Sequence, residues 1–209
     1  MTASDALFDR LKHPNPNLRD RAMIELVETR DETTIPRLIA ILDDSDTTYR
    51  RAAVKTLGAI GVDTVPFLVS LLATSDNVTV RGSAVKAFAQ VILNYPEVPF
   101  PAAGLACLKA SMKDENPVVN IAAVMALGEM GAPAFEILVE ELNTTDDIAL
   151  QVTLVNTLGS LGDRRAEGIL IAARDDENRD QYVRELATSA LSRLESTINY
   201  KRMKAGTGN

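Results

Sequence analysis

The chain has 209 residues, 46% of them hydrophobic but only 4% aromatic, and a net charge of −7. That acidic balance excludes the basic footprint needed for non-specific binding to nucleic acid or an anionic membrane, and a single cysteine, Cys107, excludes a disulfide framework. No apolar run reaches the roughly 18 residues of a membrane span, and MTASDALFDR carries no signal pattern; a cytoplasmic, mostly helical protein is expected, its apolar load carried by Ala, Leu and Val.

In chain order, the first helical segment after residues 1–10 opens at Leu18 ("LRDRAMIELV"), preceded by the turn "KHPNPN" with His13, the only histidine. An apolar stretch "IPRLIAIL" (35–42) and the polar turn "DDSD" then lead into "YRRAAVKTLG", opening at Tyr49. The arrangement recurs as "VPFLVSLL" (65–72), "TSDN" and "VRGSAVKAFA" from Val80. It returns at Val119 ("VNIAAVMALG"), Leu150 ("LQVTLVNTLG") and Val183 ("VRELATSALS"), giving steps of 31, 31, 39, 31 and 33 residues. The fourth residue after each opening is Ala22, Ala53, Ala84, Ala123, Leu154 or Ala187, and the eighth is Leu26, Leu57, Phe88, Leu127, Leu158 or Leu191. Offsets of 0, 4 and 8 share one helical face, and a small residue at its centre admits a close neighbouring helix. Prolines near the first turn of the intervening segments fit helix starts, and Asp, Ser and Asn in the turns supply caps for the next helix.

The unit is therefore helix, polar turn, helix. Six copies predict an all-α fold, an α-solenoid built as a right-handed superhelix of about six helix pairs, in a single domain over residues 1–198. The pairs Gly58/Gly61, Gly128/Gly131 and Gly159/Gly162 close second helices and read as left-handed C-caps. They do not read as phosphate loops, which would follow a strand and carry Lys-Ser or Lys-Thr. Residues 199–209, with Lys201, Arg202 and Lys204 followed by Gly-Thr-Gly-Asn, read as a basic, disordered tail.

Departures from the period are where function is sought. The 39-residue step contains "NYPEVPFP", whose prolines demand a loop; its Tyr95 and Phe100 either form a lip over a groove or pack back onto the array. The residue after each opening is Arg19, Arg50, Arg81, Asn120, Gln151 or Arg184. At this period they line up as a ladder along one face, extended by Arg51, Lys55 and Lys86. The ladder either binds an anionic ligand or acidic protein surface, or pairs with the acidic turns, such as Asp44 and Asp46. One histidine and one cysteine leave no parts for a His-based triad, a Cys–His dyad or a multi-His or Cys zinc site, so no catalytic or metal-ligating residue is assigned. Cys107, in "AGLACLKASM", on the apolar face of a helix, reads as a buried structural thiol rather than a nucleophile.

These six repeats, with "VRxxAxxAL" or "YRRAAVKTLG" second helices and Gly-x-x-Gly endings, resemble short HEAT repeats of the E/F-type phycobilin lyases, from about Asp5 to about Glu195. The stretch "LKHPNPNLRDRAM…DDSDTTYRRAAVKTLGAIG" is similar to the family's short, chaperone-like partner subunits. The resemblance implies a lyase subunit or chaperone-like factor that holds a phycobiliprotein subunit, a transient phycobilin (an open-chain tetrapyrrole) or both, and works with a second HEAT-repeat subunit. If enzymatic, it would be a bilin lyase or lyase-isomerase acting with that partner, the acceptor cysteine lying on the substrate. No cofactor bound covalently to this chain is implied. The residues alone are equally compatible with a general interaction scaffold without pigment chemistry.

Overall fold

A computed structural model describes residues 3–206. Among them the secondary structure is helical throughout, in six antiparallel pairs. The pairs are α1 (Ala3–Arg10) with α2 (Pro16–Glu28), α3 (Thr34–Ile41) with α4 (Thr47–Ile60), and α5 (Val65–Thr74) with α6 (Val78–Asn94). They continue with α7 (Ala102–Ser111) and α8 (Pro117–Met130), α9 (Phe135–Thr144) and α10 (Ile148–Ser160), and α11 (Ala166–Asp175) and α12 (Gln181–Gly206). This is the all-α solenoid class that the repeats predict. The chain gathers into two compact units, one up to Ala126 and one from Leu127 on, with the division inside α8.

In the first unit each second helix packs on the next: α2 on α4, and α4 on α6, with α3 and α5 covering them from the other side. The second unit repeats this with α10 on α12, and α9 and α11 as the covering layer. The expected apolar face is the core: Ala53, Leu57, Ala84, Phe88, Val119, Ala123, Leu154, Leu158, Val183 and Ala187 have no exposed surface. The first and last pairs, with a neighbour on one side only, deviate. Leu18 is 37% exposed, and Leu191 is half-buried while Ala190 and Leu194 take the core positions on α12.

The paired glycines divide the labour rather than share it. Gly61, Gly131 and Gly162, the second of each pair, have positive φ (91°, 71° and 64°) and turn the chain out of the helix. Gly58, Gly128 and Gly159 lie inside their helices, where the next second helix passes too close for a side chain. A Cβ on Gly58 would collide with Gln90, and one on Gly159 would come to 2.7 Å from Ala190 Cβ and 2.9 Å from its carbonyl oxygen. The C-cap role therefore belongs to the second glycine only, and the first is a helix-crossing contact.

Residues 199–206, expected to be a disordered tail, instead continue α12 as helix; residues 207–209 lie outside the described residues. Lys201 gives the reason. Its Nζ donates to Leu161 O at 2.6 Å, beyond the C-terminal end of α10, so the basic residue caps a neighbouring helix end.

Gly159→Ala is expected to lower the unfolding free energy by about 2 kcal/mol or more, because the obstructing atoms are the Cβ and backbone of Ala190, which cannot swing aside. Gly131→Ala, at a site with open space around it, should cost only about 1 kcal/mol for its left-handed φ. Urea denaturation followed by far-UV circular dichroism compares the two.

Candidate functional site

The turns between paired helices fix the ladder side chains, and they share one hydrogen-bonding scheme. An Asn or Asp three residues before each opening residue caps the second helix. Asn15 accepts from Asn17 N–H, Asp46 from Thr48 and Tyr49, and Asn77 from Thr79. Asn116 accepts from Val118, Asp147 from Ala149 and Leu150, and Asp180 from Tyr182. Two residues earlier, in five of the six turns, another side chain accepts the cap residue's own N–H: His13 through Nδ1, then Asp44, Ser75, Asp114 and Thr145. The lone histidine is thus one of a structural set.

The ladder residues close the same turns from the other side. Arg19 donates to His13 O (2.6 Å), Arg50 to Asp44 O, Arg81 to Ser75 O (3.3 Å), Asn120 to Asp114 O (3.2 Å) and Gln151 to Thr145 O (2.7 Å). Arg184 reaches Arg174 O at 3.2 Å. Each bridges to a carbonyl that no helix ladder satisfies. Arg50 is further held by Ser45 O and the Thr47 hydroxyl, not by the carboxylates of Asp44 or Asp46. Arg81 makes an ion pair, but across repeats: Nε and Nη2 grip Asp114 at 2.7 and 3.1 Å, with both side chains largely buried. The guanidinium holds the Asp114 carboxyl below its ordinary pKa, and Asp114 in turn raises that of Arg81. Where an amide replaces Arg, a cost remains: Asn120 Oδ1 and Gln151 Oε1 are buried without a hydrogen-bond partner.

The cations around the ladder behave differently. Arg51 and Lys55 on α4 and Lys86 on α6 are exposed and line a groove of about 560 Å³ between the two helices, together with Arg50, Gly82 and Gln90. No carboxylate lines it. A smaller groove of about 180 Å³ between α2 and α4 shares Arg51 and Lys55 and adds Arg19, Asp20 and Met23. Lys55 lies 3.9 Å from Asp20 with both side chains about half exposed, an ion pair worth little. Arg51 and Lys86 have no ion-pair or hydrogen-bond partner among the described residues. The structure therefore brings Arg51, Lys55 and Lys86 together beside Arg50, and spends Arg50, Arg81, Asn120, Gln151 and Arg184 on turns.

The loop aromatics pack inward. The Tyr95 hydroxyl donates to Ala59 O, and its ring fills the space a side chain on Gly61 would need. Phe100 meets Phe88 edge-on, with centroids 5.8 Å apart at 81°, over Gly104. Of the two readings of this loop, the packing one describes both residues.

In the second unit, α11 and α12 flank a groove of about 570 Å³ lined by Arg164, Arg174 and Arg202 but also Glu167 and Glu195, so its charges offset one another. Cys107 is half-buried and burial pushes its thiol pKa up, which keeps it protonated and a poor nucleophile.

Residues 4–89 and 65–147 match the family model for HEAT repeats. An uncharacterized phycocyanin operon protein Z of Pseudanabaena tenuis (strain PCC 7409) is 54% identical over 198 residues, covering 95% of this chain and 98% of that protein. The bilin biosynthesis protein CpeZ of Synechococcus sp. (strain WH8020) is 32% identical over 181 residues, 84% of this chain and 97% of that one. Among solved structures, the complex of CpcE and CpcF of phycocyanin lyase from Nostoc sp. PCC7120 has the same fold, with a TM-score of 0.50 and 22% identity over 74% of this chain and 97% of the matched one.

The Arg81–Asp114 pair generates a pH prediction. Asp114 has a lowered folded pKa, so the pair's contribution is present above the unfolded value of 3.8 and is lost as pH falls through the folded value. Arg81→Ala should destabilise at pH 7, by about 1–3 kcal/mol for a partly buried charge-assisted pair. The gap to the unaltered chain should narrow below pH 3.8. Chemical denaturation at a series of pH values measures it.

Proposed function

The chain belongs to the HEAT-repeat family, with phycocyanin operon protein Z and CpeZ among its relatives, and from that premise we propose that it is a lyase-like factor of bilin biosynthesis. In this reading it holds a phycobiliprotein subunit, its bilin or both while the chromophore is attached. The observation that carries the reading is the set of exposed cations, Arg51, Lys55 and Lys86, gathered on one face of an acidic protein, with only a weak Lys55–Asp20 pair among them. Bilins are dicarboxylates, and a cationic groove recognises carboxylates. The chain's own side chains support a holding role: His13 is tied into a turn, and Cys107 is half-buried with a raised pKa. The acceptor thiol then belongs to the phycobiliprotein. The companion in this work is a second HEAT-repeat protein, by analogy with the complex of CpcE and CpcF.

Co-expression with phycobiliprotein subunits, a bilin-forming pathway and a second HEAT-repeat lyase subunit tests the reading. Covalent pigment is read by fluorescence on denaturing gels, and retention of the subunit by affinity capture. The expected outcome is a several-fold higher pigment yield, or co-elution with one phycobiliprotein subunit, lost in Lys55→Glu/Lys86→Glu. No change in either readout would leave a general protein scaffold as the better description.

A further inference from the structure

Four of the first helices are each anchored by a fully buried leucine: Leu38 in α3, Leu68 in α5, Leu108 in α7 and Leu138 in α9. The positions two residues before and two residues after it lie on the opposite side of the helix and are exposed. In α9 they hold Glu136 and Glu140, the usual composition of a solvated helix face. In α3, α5 and α7 they hold Pro36 and Ala40, Pro66 and Ser70, and Ala106 and Ala110. No charged residue occurs in α5 from Val65 to Thr74. Phe67, beside the α5 leucine, is 42% exposed, and among the described residues of the first unit no other aromatic is classed as exposed.

The end of α5 is an independent sign that this face lacks a cover. Three and four residues after the leucine, Ile41 and Leu42 are buried in α3, Ser111 and Met112 in α7, and Glu141 and Leu142 in α9. The corresponding Leu71 and Leu72 of α5 are only half-buried. Both leucines therefore reach the surface at core positions, beside the exposed Ser70 and Ala73. Because α3 and α7 flank α5, the three helices form one continuous uncharged face, on the other side of the first unit from the α4–α6 groove. Contiguous apolar faces of this kind mark interaction surfaces.

We infer that the face centred on α5 docks a second copy of this chain, back to back, in a reversible dimer. Charge, shape and size select this occupant. Two copies of net charge −7 repel, and here they meet without setting carboxylate against carboxylate, since Asp43, Asp63 and Asp76 stay at the rim in the flanking turns. Ala, Pro and Ser leave the face smooth, so an identical face related by a two-fold axis matches it, whereas a foreign loop or helix calls for a groove. Helices of eight to ten residues are about 12–15 Å long, and three of them side by side span about 30 Å. Two such faces bury on the order of 1,000 Å² in total, the lower limit of a specific interface, which suits a dimer that forms and dissociates at micromolar concentrations. The cationic grooves of both copies stay open, so the inference is independent of what they hold.

Sedimentation velocity of the full chain across the micromolar range tests it. The mass should rise from 22.6 kDa toward twice that value as concentration increases. Added salt should tighten the dimer, because screening weakens the repulsion between acidic copies and the contact has no ion pair to lose. Ser70→Glu gives α5 the charge that α9 carries at Glu140. It should weaken the dimer at least tenfold, with an unchanged melting temperature at dilutions where the chain is monomeric. Ala172→Glu, at the equivalent exposed position of α11, should leave the dimer unaltered. A chain that stays monomeric throughout, or a dimer affected by both substitutions or by neither, overturns the inference. So does a phycobiliprotein subunit or second HEAT-repeat protein that binds the monomeric chain and is lost in Ser70→Glu, which assigns the face to a foreign partner. The pigment readout of the function proposed above reports on the opposite face, so the failure of either leaves the other standing.

Discussion

The architecture depends on how the turn between paired helices is closed. A helix pair exposes the last carbonyls of one helix and the first N–H groups of the next within a few residues, and water would otherwise satisfy them at the expense of a fixed angle. Here three side chains at set offsets do so instead. An acceptor such as Asp44 holds the cap residue's N–H, the cap residue Asp46 holds the start of the second helix, and the donor Arg50 returns to the turn carbonyls. With turns of one geometry, equivalent positions on successive second helices fall into rows. A face defined by Lys55 and Lys86, 31 residues apart in sequence, exists only because Asp46 and Asn77 begin their helices in the same way.

The scheme separates two kinds of arginine that composition alone treats alike. At the position after the opening residue a guanidinium suits the task, offering several donors and no acceptor, so a buried turn satisfies it without leaving a lone pair behind. Asn120 and Gln151 show the consequence of an amide there: the donor is used and the carbonyl oxygen is stranded. One residue further along the helix, Arg51 points away from the turn and keeps its charge for solvent or ligand. Adjacent arginines in "YRRAAVKTLG" thus divide into a structural one and an available one.

Much of this was legible in the sequence, and the remainder was hidden for identifiable reasons. The recurrence of Ala and Leu at offsets 4 and 8 stated the core, since burial imposes the helical period directly. The turn acceptors were visible as a composition, but His13, Ser75 and Thr145 share no chemistry with Asp44 beyond a lone pair, so their equivalence appears only when the cap residues are aligned. Gly58 and Gly61 look interchangeable in "LGAIG", because the sequence does not reveal that another helix passes over the first. Lys201 and its neighbours read as a tail because their partner, the carbonyl of Leu161, carries no mark in a one-letter code. Tyr95 and Phe100 left two readings open since an aromatic in a proline-rich loop serves either, and what decides is the cavity over Gly61 and Gly104.

The first unit also breaks local rules where nothing in its own packing gains from the breach. Arg51, Lys55 and Lys86 gather like charge with only Asp20 near, in a chain with carboxylates to spare; Gly82 weakens a helix without relieving a clash. A sequence shaped for stability alone would place Glu near Lys86 and Ala at Gly82. Such breaches concentrate at sites that bind something. A bound dianion would neutralise the repulsion, so occupancy and stability are linked: whatever fills the groove stabilises the fold by an amount set by its concentration relative to its Kd.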